Sequence, residues 1–246
     1  MTQPDLPLQH QTIFITGAAR RIGRELALGS ARAGADVILH HSQSPREAES
    51  LAEEIHAMGR QAHILQADFS IPEQTSRLVR DAWLIHPFQI LVNNAAIFSP
   101  VIVNDTSLEE WQSHLNINLT APFLLSQSFA RCLPSDQNGR IINILDWRAL
   151  APGTDHLPYR ITKAALAALT RSLAIALAPQ ILVNGLALGA VFPPSDGTDP
   201  QVVLRKYPIH RFATTDELIH AFLFLASGPD TIIGEILFLD GGRHLV

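Results

Sequence analysis

The sequence predicts one α/β domain, built on a doubly wound, seven-stranded parallel sheet flanked by helices. Short apolar runs rich in β-branched residues alternate along the whole chain with amphipathic stretches of helical length. The runs are apolar at consecutive positions, which is typical of strands buried on both faces. The chain has 246 residues, of which 47% are hydrophobic and 17% charged, and this composition suits one large core. We therefore expect a single domain over residues 1–246.

The first predicted strand, residues 12–16, leads into a glycine-containing turn and then a helical pattern over residues 24–32. A strand, a glycine turn and a helix are the context that a dinucleotide-binding loop requires. Gly17 would allow the tight turn, Gly23 would let the helix pack closely on the strand, and the helix N-terminus would offer N–H groups to a pyrophosphate. Arg21 stands where the middle glycine of the pattern is expected. A plain strand–helix turn is the alternative.

The second strand, residues 36–40, ends in the sequence HHSQS, which contains no acidic residue. Sites specific for NAD usually carry an acidic residue here to hold the ribose 2′-hydroxyl, and a carboxylate would repel a 2′-phosphate. His40, His41, Ser42 and the nearby Arg21 would instead accept that phosphate, so NADP is favoured over NAD. Alternatively, the two histidines are solvated loop residues.

The third strand, residues 61–66, follows a helical pattern over residues 46–58 and precedes Asp68. The fourth strand, residues 88–92, follows a helical pattern over residues 72–86 and completes the first half of the sheet. Asp68 could accept a hydrogen bond from an adenine amino group, or cap the helix that begins near Pro72. After the fourth strand, Asn93-Asn94-Ala95-Ala96 combines small residues, which permit a close cofactor approach, with amides that can tie neighbouring strands together. Phe98 then forms either a wall for a flat ligand or local loop packing.

A long helical pattern over residues 108–132 contains Asn118, which we expect to be buried and bonded to backbone at a kink. The fifth strand, residues 140–145, would place Asp146 at its carboxyl end, where open α/β sheets bind ligands. In the helix that follows, to residue 177, Tyr159 and Lys163 lie four residues apart and share one face. An adjacent cation would lower the pKa of the phenol, which makes Tyr159 a candidate general acid/base.

The remaining elements are a sixth strand over residues 181–186, a helix over 215–226 and a last strand over 235–239. Residues 188–207 are rich in proline and glycine, and a segment of that length inside a compact domain is usually a functional lid or a mobile loop. The small residues Ala164, Ala165, Ala167 and Ala168 suggest close packing against another element or another subunit.

Composition excludes several classes of function. The formal net charge of −5, without a basic block, argues against nucleic acid as the main partner. The single cysteine, Cys132, excludes an internal disulfide and suits a reducing cytoplasm. The N-terminus lacks the features of a signal peptide, and no apolar run approaches the length of a membrane span. We expect a cytoplasmic protein that acts on a small molecule and binds no metal.

Four motifs occur in order: Thr16-Gly17-x5-Gly23, Asn93-Asn94-Ala95, Tyr159-x3-Lys163 and a terminal Asp240-Gly241-Gly242. Together they resemble the short-chain dehydrogenase/reductase family. The resemblance covers nearly the whole chain and implies a Rossmann fold, a nicotinamide cofactor and, commonly, a homotetramer. Asp146 replaces the family's usual serine and Arg21 its usual glycine. This combination is similar to the pteridine reductases, and the tail LDGGRHLV resembles bacterial dihydromonapterin/dihydrofolate reductases of the same superfamily.

The resemblance implies roles for individual residues. Catalysis falls to Asp146, Tyr159, Lys163 and Asn118, with Lys163 holding the nicotinamide ribose and Asn118 holding a water behind it. Substrate contacts fall to Arg21, Phe98, Asp146 and Tyr159. NADPH would be bound by Gly17, Arg20, Arg21, Ile22, Gly23, His40, His41, Ser42, Asp68, Phe69, Asn94, Ala95, Tyr159, Lys163, Gly189 and Val191. Two positions depart from the pteridine reductase pattern, where Gln43 replaces an arginine and Leu188 a proline.

The resulting hypothesis is an NADPH-dependent reductase that transfers hydride to a ring C=N of a dihydropterin. A carboxylate at position 146 suits a pterin, because it can hold the amino groups and ring nitrogens, whereas it would repel the alkoxide that develops from a ketone. An NADP-linked carbonyl reductase is the first alternative, and it requires a protonated Asp146 in a dry pocket. The second alternative is a non-catalytic NADPH-binding sensor or scaffold.

Overall fold

A computed structural model describes residues 6–193 and 199–246 of the chain, and within these ranges it contains one seven-stranded sheet. The strand order is β3-β2-β1-β4-β5-β6-β7 and every neighbouring pair is parallel. This arrangement confirms the predicted doubly wound sheet. The strands are β1 (Thr12–Ile15), β2 (Asp36–His41), β3 (Ala62–Gln66), β4 (Ile90–Asn93), β5 (Gly139–Asp146), β6 (Ile181–Leu188) and β7 (Ile236–Leu239).

Helices cover both faces of the sheet because successive strand residues point to opposite sides. Ile13 and Ile15 pack in one core with the first, second and last helices, whereas Phe14 packs in the other with the third, fifth and sixth. The helices are α1 (Arg21–Arg32), α2 (Pro45–Ala57), α3 (Pro72–Ile85), α4 (Leu108–Leu115), α5 (Ala121–Cys132), α6 (Leu157–Leu177), α7 (Pro200–Leu204) and α8 (Thr215–Ser227).

Three predicted segments differ from the observed ones. Helix α1 begins at Arg21, three residues earlier than expected, so its first residues overlap the glycine-containing segment that ends at Gly23. The long pattern over residues 108–132 is divided by a π-helical turn, Asn116–Thr120, between α4 and α5. The segment 188–207, predicted to be irregular, contains the short helix α7. Residues 194–198 of that segment lie outside the described residues.

Hydrogen bonds between side chains fasten β1, β4 and β5 together near their carboxyl ends. The Asn93 amide donates to Asn143 Oδ1 at 2.8 Å. Asn94 donates from its amide to the Thr16 and Gly17 carbonyls at 2.9 and 3.1 Å. These bonds confirm that the paired asparagines tie strands together. Asp146 is the last residue of β5, opposite Leu188 of β6, so it emerges at the predicted edge of the sheet. Among the described residues, the helices are too short or too polar to span a bilayer.

Candidate active site

The turn between β1 and α1 is as tight as its two glycines suggest. Gly17 adopts a left-handed φ of +62°, and a Cβ there would lie 3.0 Å from Ala95 Cα. A Cβ on Gly23 would lie 2.1 Å from the Gly17 carbonyl oxygen, so no side chain fits at that position. Helix α1 has neither a side-chain cap at Arg20 nor an acidic residue in its first turn. Its first N–H groups therefore remain available to an anion.

Arg21 has a left-handed backbone, with φ of +51°. An arginine is strained there, at a cost of about 1–2 kcal/mol, which explains why glycine is the expected residue. Its side chain is exposed at the rim of the cleft, with the guanidinium carbon 5.5 Å from the centre of the Phe192 ring. Arg20 is also exposed and lies 4.0 Å from Glu47. Both guanidiniums are accessible to an anionic ligand.

His40 does not have the geometry of a phosphate receptor, and this expectation is corrected. The ring is buried against Phe69, with centroids 4.2 Å apart. Nδ1 accepts from the Gly17 N–H at 3.1 Å, and Nε2 lies 3.1 Å from the Ala67 carbonyl oxygen, to which it donates. Burial lowers the pKa of His40 to about 4, so the ring is neutral. His40 therefore supports the glycine turn from below.

Most of the expected cofactor residues line one cleft of about 610 Å³. It is bounded by the glycine turn and by the carboxyl ends of β2, β3 and β4. Asp68 lies at its edge, where Oδ1 accepts from the Ser70 N–H at 2.9 Å. It does not cap α3, whose first residue follows Ile71 without a side-chain cap. The expected residues in the lining are Gly17, Arg20, Arg21, Ile22, Gly23, His40, His41, Ser42, Asp68, Phe69, Asn94 and Ala95.

Gly189 and Val191 follow β6 and lie outside the lining of this cleft. A Cβ on Gly189 would lie 2.8 Å from Asp240 Cα and 2.8 Å from the Tyr207 ring. Tyr207 in turn accepts a hydrogen bond at its hydroxyl from the Ala190 N–H, at 3.0 Å. This packing fixes the backbone after β6 beside the end of β7. Tyr207 carries no signal in the sequence.

Asp146 and Tyr159 meet directly, as their positions predicted. The Tyr159 hydroxyl donates to Asp146 Oδ2 at 3.2 Å, from the first turn of α6 to the end of β5. The Tyr159 ring is buried, and its Asp146 partner is nearly so. Burial, followed by the negative charge of Asp146, raises the pKa of Tyr159 well above its usual value. Tyr159 is therefore a neutral phenol, and it holds a proton next to a carboxylate.

Lys163 does not lower the pKa of Tyr159 in this structure, which contradicts the expectation from the Tyr-x3-Lys spacing. Its Nζ donates to the Ile144 carbonyl at 2.7 Å and lies 5.7 Å from the centre of the Tyr159 ring. Burial lowers the pKa of Lys163 to about 8, partly opposed by the charge of Asp146. The ammonium is anchored to β5, beneath the site.

Arg148 is a site residue that the sequence analysis missed. Its NH1 donates to Asp146 Oδ1 and Oδ2 at 3.2 and 3.3 Å, and its backbone N–H donates to Oδ1 at 2.8 Å. The guanidinium carbon lies 5.4 Å from the centre of the Phe98 ring and 4.7 Å from that of Trp147. The 3₁₀ turn Trp147–Ala149, which Asp146 caps, brings the two side chains together, and no sequence pattern marked that turn.

Phe98 borders the same site, with half of its surface exposed. Its ring meets Tyr159 edge to face at 4.7 Å and stacks on His156 at 4.0 Å. Phe98 thus has both roles considered for it, a wall beside Tyr159 and a partner in loop packing. Asn118 holds this wall in place, because its side chain accepts from the Ile97 N–H at 2.9 Å and donates to the Ile97 carbonyl at 3.0 Å.

Asn118 lies in the π-helical turn and is completely buried. Its amide also donates, at 3.2 Å, to Oγ1 of Thr162, which directly precedes Lys163 in the chain. The predicted kink with backbone bonding is confirmed, whereas contact with Lys163 through a water stays a prediction. In the described parts of the chain, no three His, Cys, Asp or Glu side chains converge as a metal site would require.

The family model for short chain dehydrogenases matches residues 11–200. The chain belongs to this family. This short-chain dehydrogenase is 32% identical to the 3-oxoacyl-[acyl-carrier-protein] reductase of Aquifex aeolicus, over 97% of its own length and 99% of the relative's. It is 33% identical to the 5-keto-D-gluconate 5-reductase of Escherichia coli, with 96% of each chain covered.

Among solved structures, this short-chain dehydrogenase resembles FolM alternative dihydrofolate reductase 1 from Brucella canis, a complex with NADP. The TM-score is 0.89 at 32% identity, and the match covers 98% of this chain and 96% of the other. Curated relatives and structural neighbours thus include enzymes named for carbonyl substrates and one named for dihydrofolate.

Proposed function

We propose that this short-chain dehydrogenase is an NADPH-dependent reductase of a dihydropterin, acting on a C=N bond of the ring. The observation that carries the proposal is the carboxylate of Asp146, bonded to the Tyr159 hydroxyl at 3.2 Å beside the exposed ring of Phe98. A carboxylate accepts hydrogen bonds from ring amino groups, and an aromatic face suits a flat ring. The likeness to a dihydrofolate reductase structure supports the same substrate class.

The cleft fits a dinucleotide phosphate in shape and charge. The missing Cβ atoms of Gly17 and Gly23 and the uncapped N-terminus of α1 suit a pyrophosphate. We assign the 2′-phosphate to Arg20, Arg21 and Ser42, because they line the same cleft and β2 ends without an acidic residue. When bound, NADPH supplies a hydride to the substrate carbon.

The residues of the chain supply the proton and the orientation. The raised pKa of Tyr159 keeps its hydroxyl protonated at neutral pH, so it can donate to the ring nitrogen that gains negative charge. Asp146 would accept hydrogen bonds from the amino group of the ring, and Tyr159 would regain its proton from solvent. Phe98 would cover one face of the substrate. Lys163, anchored at the Ile144 carbonyl, would reach the nicotinamide ribose.

An NADP-linked carbonyl reductase is the second candidate. The observation in its favour is the identity of 32% and 33% to reductases named for 3-oxoacyl and 5-keto-gluconate substrates. The arrangement of charges disfavours it, because Asp146 accepts from Tyr159 and pairs with Arg148, which are the contacts of an ionised carboxylate. An anion at that position repels a developing alkoxide.

The Asp146→Ser variant separates the two candidates. We expect it to lose dihydropterin reduction and to gain activity on ketones, because serine offers the neutral donor that a carbonyl requires. Activity is followed as NADPH oxidation with each substrate, and Asp136→Ser, a change at an exposed carboxylate remote from the site, is the matched control. Full pterin activity in Asp146→Ser would refute the role given to Asp146.

We also propose a cytoplasmic homotetramer. The exposed face of α6, which includes Ile161, Ala164 and Ala168, supports assembly because small side chains let helices approach closely. Light scattering of the purified protein, combined with Ala164→Arg and Ala168→Arg, tests this assignment. A monomer at micromolar concentration would contradict it.

A further inference from the structure

Asp146 and Tyr159 do not form an isolated pair, because a third group holds the carboxylate. Arg148 contacts both Asp146 oxygens through NH1 and one of them again through its backbone N–H. Tyr159 donates to Oδ2 of the same carboxylate. The guanidinium, the carboxylate and the phenol are thus connected by one chain of hydrogen bonds.

The guanidinium also contacts two aromatic rings. Its carbon lies 5.4 Å from the centre of the Phe98 ring and 4.7 Å from that of the Trp147 ring. Its Nε–H is buried without a hydrogen-bond partner among the described residues. Leaving a buried polar group unsatisfied costs about 1–3 kcal/mol. The orientation of the guanidinium is therefore set by Asp146 and the two rings, and not by the bonding of Nε–H.

Lys163 cannot take this role, because its ammonium donates to the Ile144 carbonyl and contacts no oxygen of Asp146. The other charged or titratable groups near the pair are His156, which stacks on Phe98, Arg160 and Arg243, which lie over the Trp147 ring at 5.6 and 4.2 Å, and Tyr207. Within residues 6–193 and 199–246, none of these four side chains forms a hydrogen bond with the side chain of Asp146 or Tyr159.

We propose that Arg148 is a positioning residue of the active site, which orients the Asp146 carboxylate toward the Tyr159 hydroxyl and supplies the positive charge of that pair. Among the described residues, Arg148 is the cation that hydrogen bonds link to Tyr159 through Asp146. The Tyr-x3-Lys spacing had assigned the role of a cation beside Tyr159 to Lys163. The charge of Arg148 lowers the pKa of Tyr159, against the larger upward effects of burial and of Asp146. Arg148 thus offsets part of the rise in the pKa of Tyr159.

The inference deepens the proposed function, because it concerns proton donation at the same site, yet it can be tested without any substrate. The chain contains two tyrosines, Tyr159 and Tyr207. A Tyr207→Phe background therefore leaves Tyr159 as the single tyrosine. With tyrosine labelled with ¹³C at its ζ carbon, one NMR resonance reports the hydrogen bond and the ionisation of Tyr159.

In that background, Arg148→Met should shift the Tyr159 resonance at pH 7, because the carboxylate that accepts from the Tyr159 hydroxyl loses the cation that holds it. Arg243→Met is the matched control, since it removes a guanidinium from the same Trp147 ring without touching Asp146. We expect the control to leave the resonance unchanged. Equal spectra for the Arg148→Met variant and its parent would overturn the proposal.

Two further measurements separate positioning from folding and from the choice of substrate. If Arg148→Met fails to fold, Arg148→Lys keeps the charge but not the fork, and it should give an intermediate shift of the resonance. With a dihydropterin, Arg148→Met should lower kcat about tenfold, with KM nearly unchanged, and added guanidinium should restore part of the rate. If the parent enzyme turns over no dihydropterin, the proposed substrate fails while the NMR result still decides the role of Arg148.

Discussion

The two halves of the site satisfy their polar groups in different ways. In the cofactor half, formed by the glycine turn and the ends of β2 and β4, most buried polar groups are neutral and bonded within the chain, with Asn93 Oδ1 as an exception. Thr16 Oγ1, for example, accepts from the Asn94 and Ala95 N–H groups and donates to the Val92 carbonyl. In the catalytic half, formed by Asp146, Arg148, Tyr159 and Lys163, charged groups are gathered in a buried place.

The difference separates framework from chemistry. Neutral, saturated hydrogen bonds hold a shape at little electrostatic cost, and the cofactor half needs only a fixed cradle with free N–H groups. Charges near one another under burial shift each other's pKa values, and proton transfer needs that shift. Substitutions in the cofactor half should therefore alter binding and stability, whereas those in the catalytic half should alter kcat.

The largest effect is expected for Tyr159→Phe, which removes the proton donor and leaves the ring. We predict a fall in kcat of about a thousandfold, or about 4 kcal/mol, with little change in the affinity for NADPH. Steady-state kinetics and fluorescence titration with NADPH check the two parts. Tyr207→Phe serves as the control and should keep most of the activity. A normal kcat for Tyr159→Phe would contradict the assignment of Tyr159 as the proton donor and the distinction between the two halves of the site.

The second prediction concerns stability in acid and the neutral ring of His40. Its pKa is about 4 in the folded protein and 6.5 in the unfolded chain, so the unfolded state binds more protons in between. Stability is fully present above pH 6.5 and falls as the pH drops to 4, by about 3 kcal/mol from this group.

Urea unfolding of wild type and His40→Asn at several pH values measures this contribution. The stability difference between the two proteins should shrink by about 3 kcal/mol from pH 7 to pH 4. His10→Asn, at an exposed histidine, gives the comparison and should show a much smaller change. A pH-independent difference between wild type and His40→Asn would mean that His40 is charged or exposed in the folded state.

The third prediction tests the cradle itself. Gly23→Ala places a Cβ 2.1 Å from the Gly17 carbonyl oxygen, so the turn must open. Overpacking of this kind costs about 1–3 kcal/mol, and we expect NADPH affinity to weaken about tenfold to a hundredfold. Calorimetric titration measures it. Gly59→Ala has a left-handed backbone but no neighbour within 4 Å, and it should leave NADPH affinity unchanged.

The smallest effect is expected for Arg21→Gly. Glycine relieves the left-handed strain at this position but loses more chain entropy on folding, so the net gain in stability should be about 0.5 kcal/mol. The same change removes a cation from the rim of the cleft, and the preference for NADPH over NADH should decrease. Urea unfolding and the ratio of kcat/KM for the two cofactors report these effects. A less stable variant with unchanged preference would contradict both parts.

The sequence was sufficient for the sheet, the glycine turn and the meeting of Asp146 with Tyr159. Periodicity marks buried strands, and residues at the ends of parallel strands converge at one edge whatever the side-chain details. The turn could be predicted from its glycines, because a residue with a Cβ does not fit where Gly23 contacts Gly17. These features depend on backbone geometry, which local sequence largely determines.

The electrostatic roles of the site residues could not be predicted as well from the sequence, because they depend on contacts between segments that are distant along the chain. His40 looked like a solvent-facing receptor, yet the Ala67 carbonyl and the Gly17 N–H occupy both of its ring nitrogens. Lys163 shares a helix face with Tyr159, yet its ammonium reaches the Ile144 carbonyl of β5. Spacing specifies which residues share a face, but it does not specify where a long side chain ends.

The central claim is that Asp146 makes this short-chain dehydrogenase a reductase of dihydropterins. The most direct test is NADPH oxidation by the purified protein with dihydromonapterin, dihydrobiopterin, dihydrofolate and a panel of simple ketones, with NADH as the control cofactor. The account predicts turnover of a dihydropterin with NADPH, and none of the ketones. Turnover of ketones alone would contradict it and place the protein among the carbonyl reductases.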